Sequence, residues 1–147
     1  MGLMRLTQET KEVSPDTSVM EAVRSMTANK TGALAVIAPG RAGPQIVGIF
    51  TERDLMRRVV HEGRDPGTTS IREVMTSPVQ TVSDSTSVSE AANRMRTHHI
   101  RHLAIVDGEG VFRGMLALRY LLYDMLDDLA RKVEGLQSEI MADGPGG

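Results

Sequence analysis

The sequence predicts an α/β fold made of two copies of one strand-helix-strand-strand-helix unit, followed by a long C-terminal helix. Three observations predict it: an internal repeat, a capped amphipathic helix in each copy, and short apolar runs separated by Gly/Pro turns. Residues 13–22 read VSPDTSVMEA and residues 82–91 read VSDSTSVSEA, identical at seven of ten positions with an offset of 69. The register runs on through Met26/Met95, Leu34/Leu103 and Ala35/Ala104. The first copy then carries three extra residues in PGRAGPQ, the offset becomes 66, and Gly48 aligns with Gly114. Two copies imply a pseudo-symmetric pair, not a long solenoid.

Each element has its own signal. Ser18 and Ser87 are each followed three residues later by Glu (Glu21, Glu90), the pattern of a capping box at a helix start. Val19, Ala22, Val23 and Met26 then share a helical face, as do Val88, Ala91, Ala92 and Met95. The apolar runs 34–37 and 103–106 are candidate buried strands. PGRAGP and DGEG are turns, 46–50 and 111–116 are the next strands, and helices open near Glu52 and Leu118. These divisions place the first repeat and an N-terminal segment in 1–61, a linker in 62–78 and the second repeat in 79–123. A C-terminal helix extension and tail fill 124–147, with DGPGG expected to fray. On that last helix Leu122, Met125, Leu129, Val133, Leu136 and Ile140 form an apolar stripe, with Gly135 a weak point. The stripe packs on its own domain or extends past it to meet a second chain.

Composition excludes several functions. The 147 residues carry a net charge of −2, so no basic field recruits DNA or RNA. Aromatics are 3% with no Trp, which argues against a base-stacking surface. The absence of Cys removes disulfides, thiolate zinc sites and cysteine nucleophiles. No apolar run is long enough for a membrane span, and MGLMRLTQET is too polar for a signal-peptide core. Leu6 breaks the myristoylation pattern that Met1-Gly2 suggests. A cytoplasmic protein is expected.

The segment GIFTERD, residues 48–54, holds the most chemistry. It lies where a strand ends and a helix begins, a place suited to phosphate through free N–H groups. Thr51 offers a hydroxyl, Arg53 a positive charge, and Asp54 a carboxylate that suits the two hydroxyls of a ribose. Gly48 leaves the backbone open to close approach. The same Thr51-x-x-Asp54 spacing also makes a purely structural capping box. His98 and His102 are four apart, but Ile100 begins an extended run between them, so no metal site is expected. No hydrolase elbow or Walker loop occurs, and Glu52 and Asp54, two apart, do not face one another as an acid–base pair. No catalytic residue is assigned.

The ordered set VSPDTSVMEA, LAVI, GIFTERD, GRDP with IREVMTSPV, VSDSTSVSEA, IRHLAIVD and GMLALRY covers about residues 10–123. It resembles cystathionine-beta-synthase (CBS) domains in tandem, in the layout of the small stand-alone CBS-pair proteins of prokaryotes. The resemblance implies two copies packed sheet to sheet, with a cleft that commonly holds an adenosine compound: AMP, ADP, ATP or S-adenosylmethionine. The family's nucleotide motif falls on Gly48, Thr51 and Asp54. In the second copy Gly114 remains, but Ala117 and Tyr120 replace the two polar anchors, which implies one occupied site per chain, with Tyr120 filling space or packing. The polar pair before the buried strand of the second copy, Arg101 and His102, implies a phosphate clamp for the ligand held by the first. The matching pair in copy one is Gly32 and Ala33. Val13, Val36 and Ile49 are expected along the purine, and a homodimer through the helical faces is implied. The function expected is non-enzymatic: a regulatory module whose adenine nucleotide bridges the copies. The rival is a ligand-independent interaction module docking through the helical stripe.

Overall fold

The computed structural model describes residues 2–7 and 11–142, the side chains of 141 and 142 excepted. The DGPGG tail lies outside them. The first repeat contains β1 (Glu12–Val13), α1 (Val19–Asn29), β2 (Ala33–Pro39) and β3 (Pro44–Thr51). It closes with α2 (Glu52–Asp54), which continues as a π-helix over Leu55–Val60. A connector helix α3 (Ile71–Val74) leads into β4 (Thr81–Val82), α4 (Val88–His98), β5 (His102–Val106), β6 (Phe112–Ala117) and α5 (Leu118–Ala142). A short 3-10 helix, Leu3–Leu6, precedes them all.

Each repeat forms a three-stranded sheet, β1-β2-β3 and β4-β5-β6, with the first pair parallel and the second antiparallel. Both sheets shift register at matching places, between Val36 and Ile37 and between Ile105 and Val106. The helices also match. Ser18 and Ser87 cap them by accepting from the N–H of Glu21 and Glu90, each at 3.1 Å. Both helices end in a Schellman turn, with Thr31 N–H donating to Met26 O (3.0 Å) and Ile100 N–H to Met95 O (2.9 Å). The left-handed residue is Lys30 (φ 52°) in one and His99 (φ 55°) in the other, where glycine is usual.

Alternation along the strands sorts side chains into three cores. Leu34, Val36 and Phe50 face α1 with Val19, Ala22 and Met26. Leu103, Ile105 and Leu116 face α4 with Ala91 and Met95. Between the sheets lie Ala33, Ala35 and Ile49 against Ala104, Phe112 and Met115. Both faces of β2 and β5 are therefore buried, which is why each reads as a continuous apolar run. The small alanines let the sheets approach closely. The starts of β3 and β6 meet in an antiparallel bridge at Gln45 and Val111.

The N-terminal segment, expected with repeat one, packs on repeat two: Leu3 is buried in the second core, and Arg5 pairs with Asp124 at 2.8 Å. The connector closes repeat one in the same way, through Ile71 and Val74. The two segments dock alike, since Arg72 N–H donates to Pro15 O (2.9 Å) and Leu3 N–H to Asp84 O (3.0 Å), acceptors 69 residues apart. Each core lacks one apolar plug of its own and takes it from the chain that precedes or follows.

Candidate functional site

The corner where β3 passes into α2 is built around Asp54. Thr51 is extended (φ −122°, ψ 168°) and caps the helix, its Oγ1 accepting from Asp54 N–H at 3.3 Å. Asp54 Oδ2 accepts in return from Thr51 N–H (3.0 Å) and Thr51 Oγ1 (3.2 Å). Its other oxygen accepts from Thr76 Oγ1 at 2.8 Å and lies 3.7 Å from Arg58 Nε. Three hydrogen-bond donors and the nearby Arg58 charge thus surround a carboxylate only 5% exposed, which offsets the penalty of burying its charge.

The connector supplies part of that shell. Thr76 pairs with Ile49 through both backbone bonds, 3.0 and 2.8 Å, so the chain after α3 runs beside β3. Met75 lies over Gly48, where any Cβ would collide with its side chain, and Met75 O accepts from Arg58 Nη1 at 2.7 Å. The space that glycine leaves at position 48 is thus occupied from within the chain. Arg53 points into solvent from the same turn.

The equivalent corner of repeat two is basic. His102 opens β5 opposite Ala117, as Ala33 lies opposite Thr51. Burial is the main cause that lowers the His102 pKa to about 4, reinforced by the charges of Arg101 and Arg119. Leu118 N–H donates to Arg101 O at 2.9 Å, which brings the start of α5 beside Arg101. Glu52 N–H donates to Gly32 O at 3.1 Å in the matching place of repeat one. Arg101 and Arg119 are exposed, and neither forms an ion pair with a carboxylate among the described residues. The Arg119 guanidinium stands 5.1 Å from the Tyr120 ring centroid, and Tyr120 meets Tyr123 edge-on at 6.1 Å. Tyr120 is therefore packed on its own helix.

Val13, Val36 and Gly48 lie in one transverse row, because Val13 pairs with Val36 and Val36 with Gly48. The Val36 side chain is inside the first core with Val13 packed against it, and Val36 and Gly48 are both buried. Ile49 faces the other sheet. Thr51 and Asp54 stand at one corner and Arg101 and His102 at the other, with no hydrogen bond between the pairs among the described residues. Two shallow clefts lie elsewhere. One, of about 380 Å³, includes Met4, Asp84 and Arg113; the other, of about 420 Å³, is at the β2–β3 turn. His98 ends α4 and His102 opens β5, so they do not share a helical face.

Sequence reasoning missed Thr76, Met75, Arg58 and Arg119. Arg58 had a legible signal, four residues beyond Asp54 on a helical stretch. Thr76 and Arg119 had none, since their partners come from elsewhere in the fold.

The family model described as "CBS domain" matches residues 7–61 and 71–127. The chain is 33% identical over 122 residues to the CBS domain-containing protein CBSX3, mitochondrial, of Arabidopsis thaliana. That match covers 79% of this chain and 58% of the relative, so the chain spans less than two thirds of it. A putative signal-transduction protein with CBS domains from Burkholderia ambifaria superposes with a TM-score of 0.77 at 30% identity, covering 87% of this chain and 96% of that one. A CBS domain protein from Pyrobaculum aerophilum, complexed with AMP, superposes at 0.75 with 26% identity, covering 89% and 99%.

Proposed function

The chain belongs to the CBS-domain family as a tandem pair, and on that premise we propose that it is a regulatory module that binds an adenine nucleotide in the cleft between its repeats. The observation that carries the proposal is the opposite chemistry of the two corners. Asp54 is a buried acceptor ringed by hydroxyls and N–H groups, and Arg101, His102 and Arg119 form a basic cluster without carboxylate partners. A ribose hydroxyl would exchange with Thr76 at the first, and a phosphate would pair with the basic groups at the second. The AMP complex of the Pyrobaculum relative supports this ligand class.

The ligand in this reading is of AMP, ADP or ATP type, one per chain, because Ala117 and Tyr120 stand in the second corner where the first has Thr51 and Asp54. A ribose hydroxyl competes with Thr76 for Asp54 Oδ1, so occupancy is transmitted to the connector held along β3. A phosphate beside His102 favours its protonated form, so binding strengthens as pH falls. The signal is a change in the angle between repeats or in association of two chains, and the ligand drives it only through different affinity for the two states. Arg53 adds charge at the rim, and Val13, Val36 and Ile49 border the purine. The module assembles as a homodimer through its helical faces, works in the cytoplasm and catalyses no reaction.

One observation favours the rival reading, a ligand-independent interaction module: both oxygens of Asp54 already accept hydrogen bonds from inside the chain. Thermal unfolding with AMP, ADP, ATP, S-adenosylmethionine, NAD and GTP separates the two. A ligand at ~100 times its Kd stabilises by about 2.7 kcal/mol. Asp54→Ala removes charge-assisted hydrogen bonds and weakens binding roughly 10- to 150-fold. A shift with adenine nucleotides that Asp54→Ala and Arg101→Ala both abolish supports the sensor. No shift with any compound, in folded and ligand-free protein, supports the interaction module.

A further inference from the structure

The C-terminal helix carries an apolar seam that its own fold does not cover. α5 is 25 residues long, about 37 Å at 1.5 Å per residue. Its first turn is anchored, with Leu121 buried in the second core, Leu118 packed against it, and Asp124 paired with Arg5. Beyond that, Leu122, Leu126, Leu129, Val133, Leu136 and Ile140 are each between 45 and 70% exposed. Their spacing alternates four and three without a break, which is a heptad repeat. Leu126 takes the place that the stripe expected from sequence gave to Met125.

The register has a specific content. Leu126, Val133 and Ile140 fall at a positions and Leu122, Leu129 and Leu136 at d. Two of the three a residues, Val133 and Ile140, are β-branched, and with Leu at every d position this composition favours two parallel strands. The flanks agree. The g residues are Met125, Lys132 and Glu139, and the e residues are Tyr123, Ala130 and Gln137. In a parallel pair Lys132 meets Gln137 of the other copy and Met125 meets Ala130, with no like charges opposed. An antiparallel pair over the same layers sets Lys132 against its own copy. On the same helix Asp128 pairs with the flanking Lys132 at 3.1 Å and with the outward Arg131 at 3.9 Å.

We propose that α5 pairs with α5 of a second copy of this chain as a parallel, in-register coiled coil running from Leu122 to Ile140. The pairing gives the homodimer of the proposed function a defined seam and fixes the two modules at the same end of a two-stranded stalk. It does not depend on nucleotide binding, since none of its residues lies at the Asp54 corner.

The chain has no Cys, so single introduced thiols report the geometry directly. Leu136→Cys, in the full chain under mild oxidation, should form a disulfide dimer, because equal d positions face each other in a parallel pair. The outward-facing control Arg131→Cys should stay at least tenfold less cross-linked. Leu129→Asn with Leu136→Asn should convert a dimer in sedimentation to a monomer, with the unfolding temperature of the globule and any nucleotide-induced shift retained. Cross-linking only in a mixture of Leu126→Cys and Leu136→Cys would overturn the proposal in favour of an antiparallel pair. Equal cross-linking of Arg131→Cys, no cross-linking at all, or a dimer that survives both Asn substitutions would also overturn it. A nucleotide shift that fails while Leu136→Cys cross-links counts against the sensor alone.

Discussion

The corner after β3 and the corner after β6 occupy the same place in the repeat, yet they hold opposite chemistry. The first has Gly32, Thr51 and Asp54, with Glu52 packed over Gly32. The second has Arg101, Ala117 and Tyr120, with Arg119 over the ring. The scaffolds beneath them match in register, cap and bulge. Duplication therefore preserved the backbone and let the two surfaces diverge. A pair of complementary corners can hold one ligand with two differently charged ends, which two identical corners could not. The glycines show a finer difference. A Cβ at Gly48 would collide with Met75, whereas one at Gly114 would press on Thr7 and Met4 at 3.2–3.4 Å.

Four measurements test how far the two corners have diverged. The largest effect is expected from pH. Folded His102 takes its proton only near pH 4, and the unfolded chain takes it near 6.5. The unfolded state binds more protons between those values, so stability is full above about pH 6.5 and falls as pH drops toward 4. The loss reaches about 3 kcal/mol by linkage. Denaturant titrations of wild type and His102→Gln across that range should differ by this slope, and parallel curves would show that His102 titrates normally.

Asp54→Ala comes next. It removes the capping box and the tie to Thr76, at a cost of about 2 kcal/mol. Tyr120→Ala, at the equivalent position, should cost less, about 1 kcal/mol or under, since the ring is only half-buried. Equal urea midpoints for the two variants would mean that the corners do not differ in structural load.

Gly48→Ala should destabilise by about 1–2 kcal/mol through displacement of Met75 from the strand. Gly114→Ala should cost about half as much or less, because the Met4 thioether end is flexible. A reversed order would place the tighter packing in repeat two. The smallest expected contrast is between Ser18→Ala and Ser87→Ala. Each loses one cap bond of the same length, so each should cost about 1 kcal/mol. Unequal thermal shifts there would show that the scaffolds have diverged along with the surfaces.

Some of this molecule is determined by short stretches of chain. The caps at Ser18 and Ser87, the Thr51–Asp54 box and the buried strands rest on hydrogen bonds three residues apart or on apolar runs, so they are legible without any tertiary partner. The heptad of α5 is equally local, although its use of Leu126 over Met125 became plain only once the anchored first turn set which face was free.

The rest was decided by assembly. Thr76 reaches Asp54 across 22 positions because the connector lies along β3, and nothing around Thr76 in sequence marks it as a donor. Arg119 joins Arg101 and His102 because α5 starts from the end of β6 beside β5. Leu3 is buried with Val82, Met95 and Leu116 of the second repeat, about 80 positions or more away in sequence. The physical reason is common to all three. Local bonds are specified by residues that are neighbours before folding, whereas a carboxylate's shell or a core's last plug is specified only by which segments burial brings together.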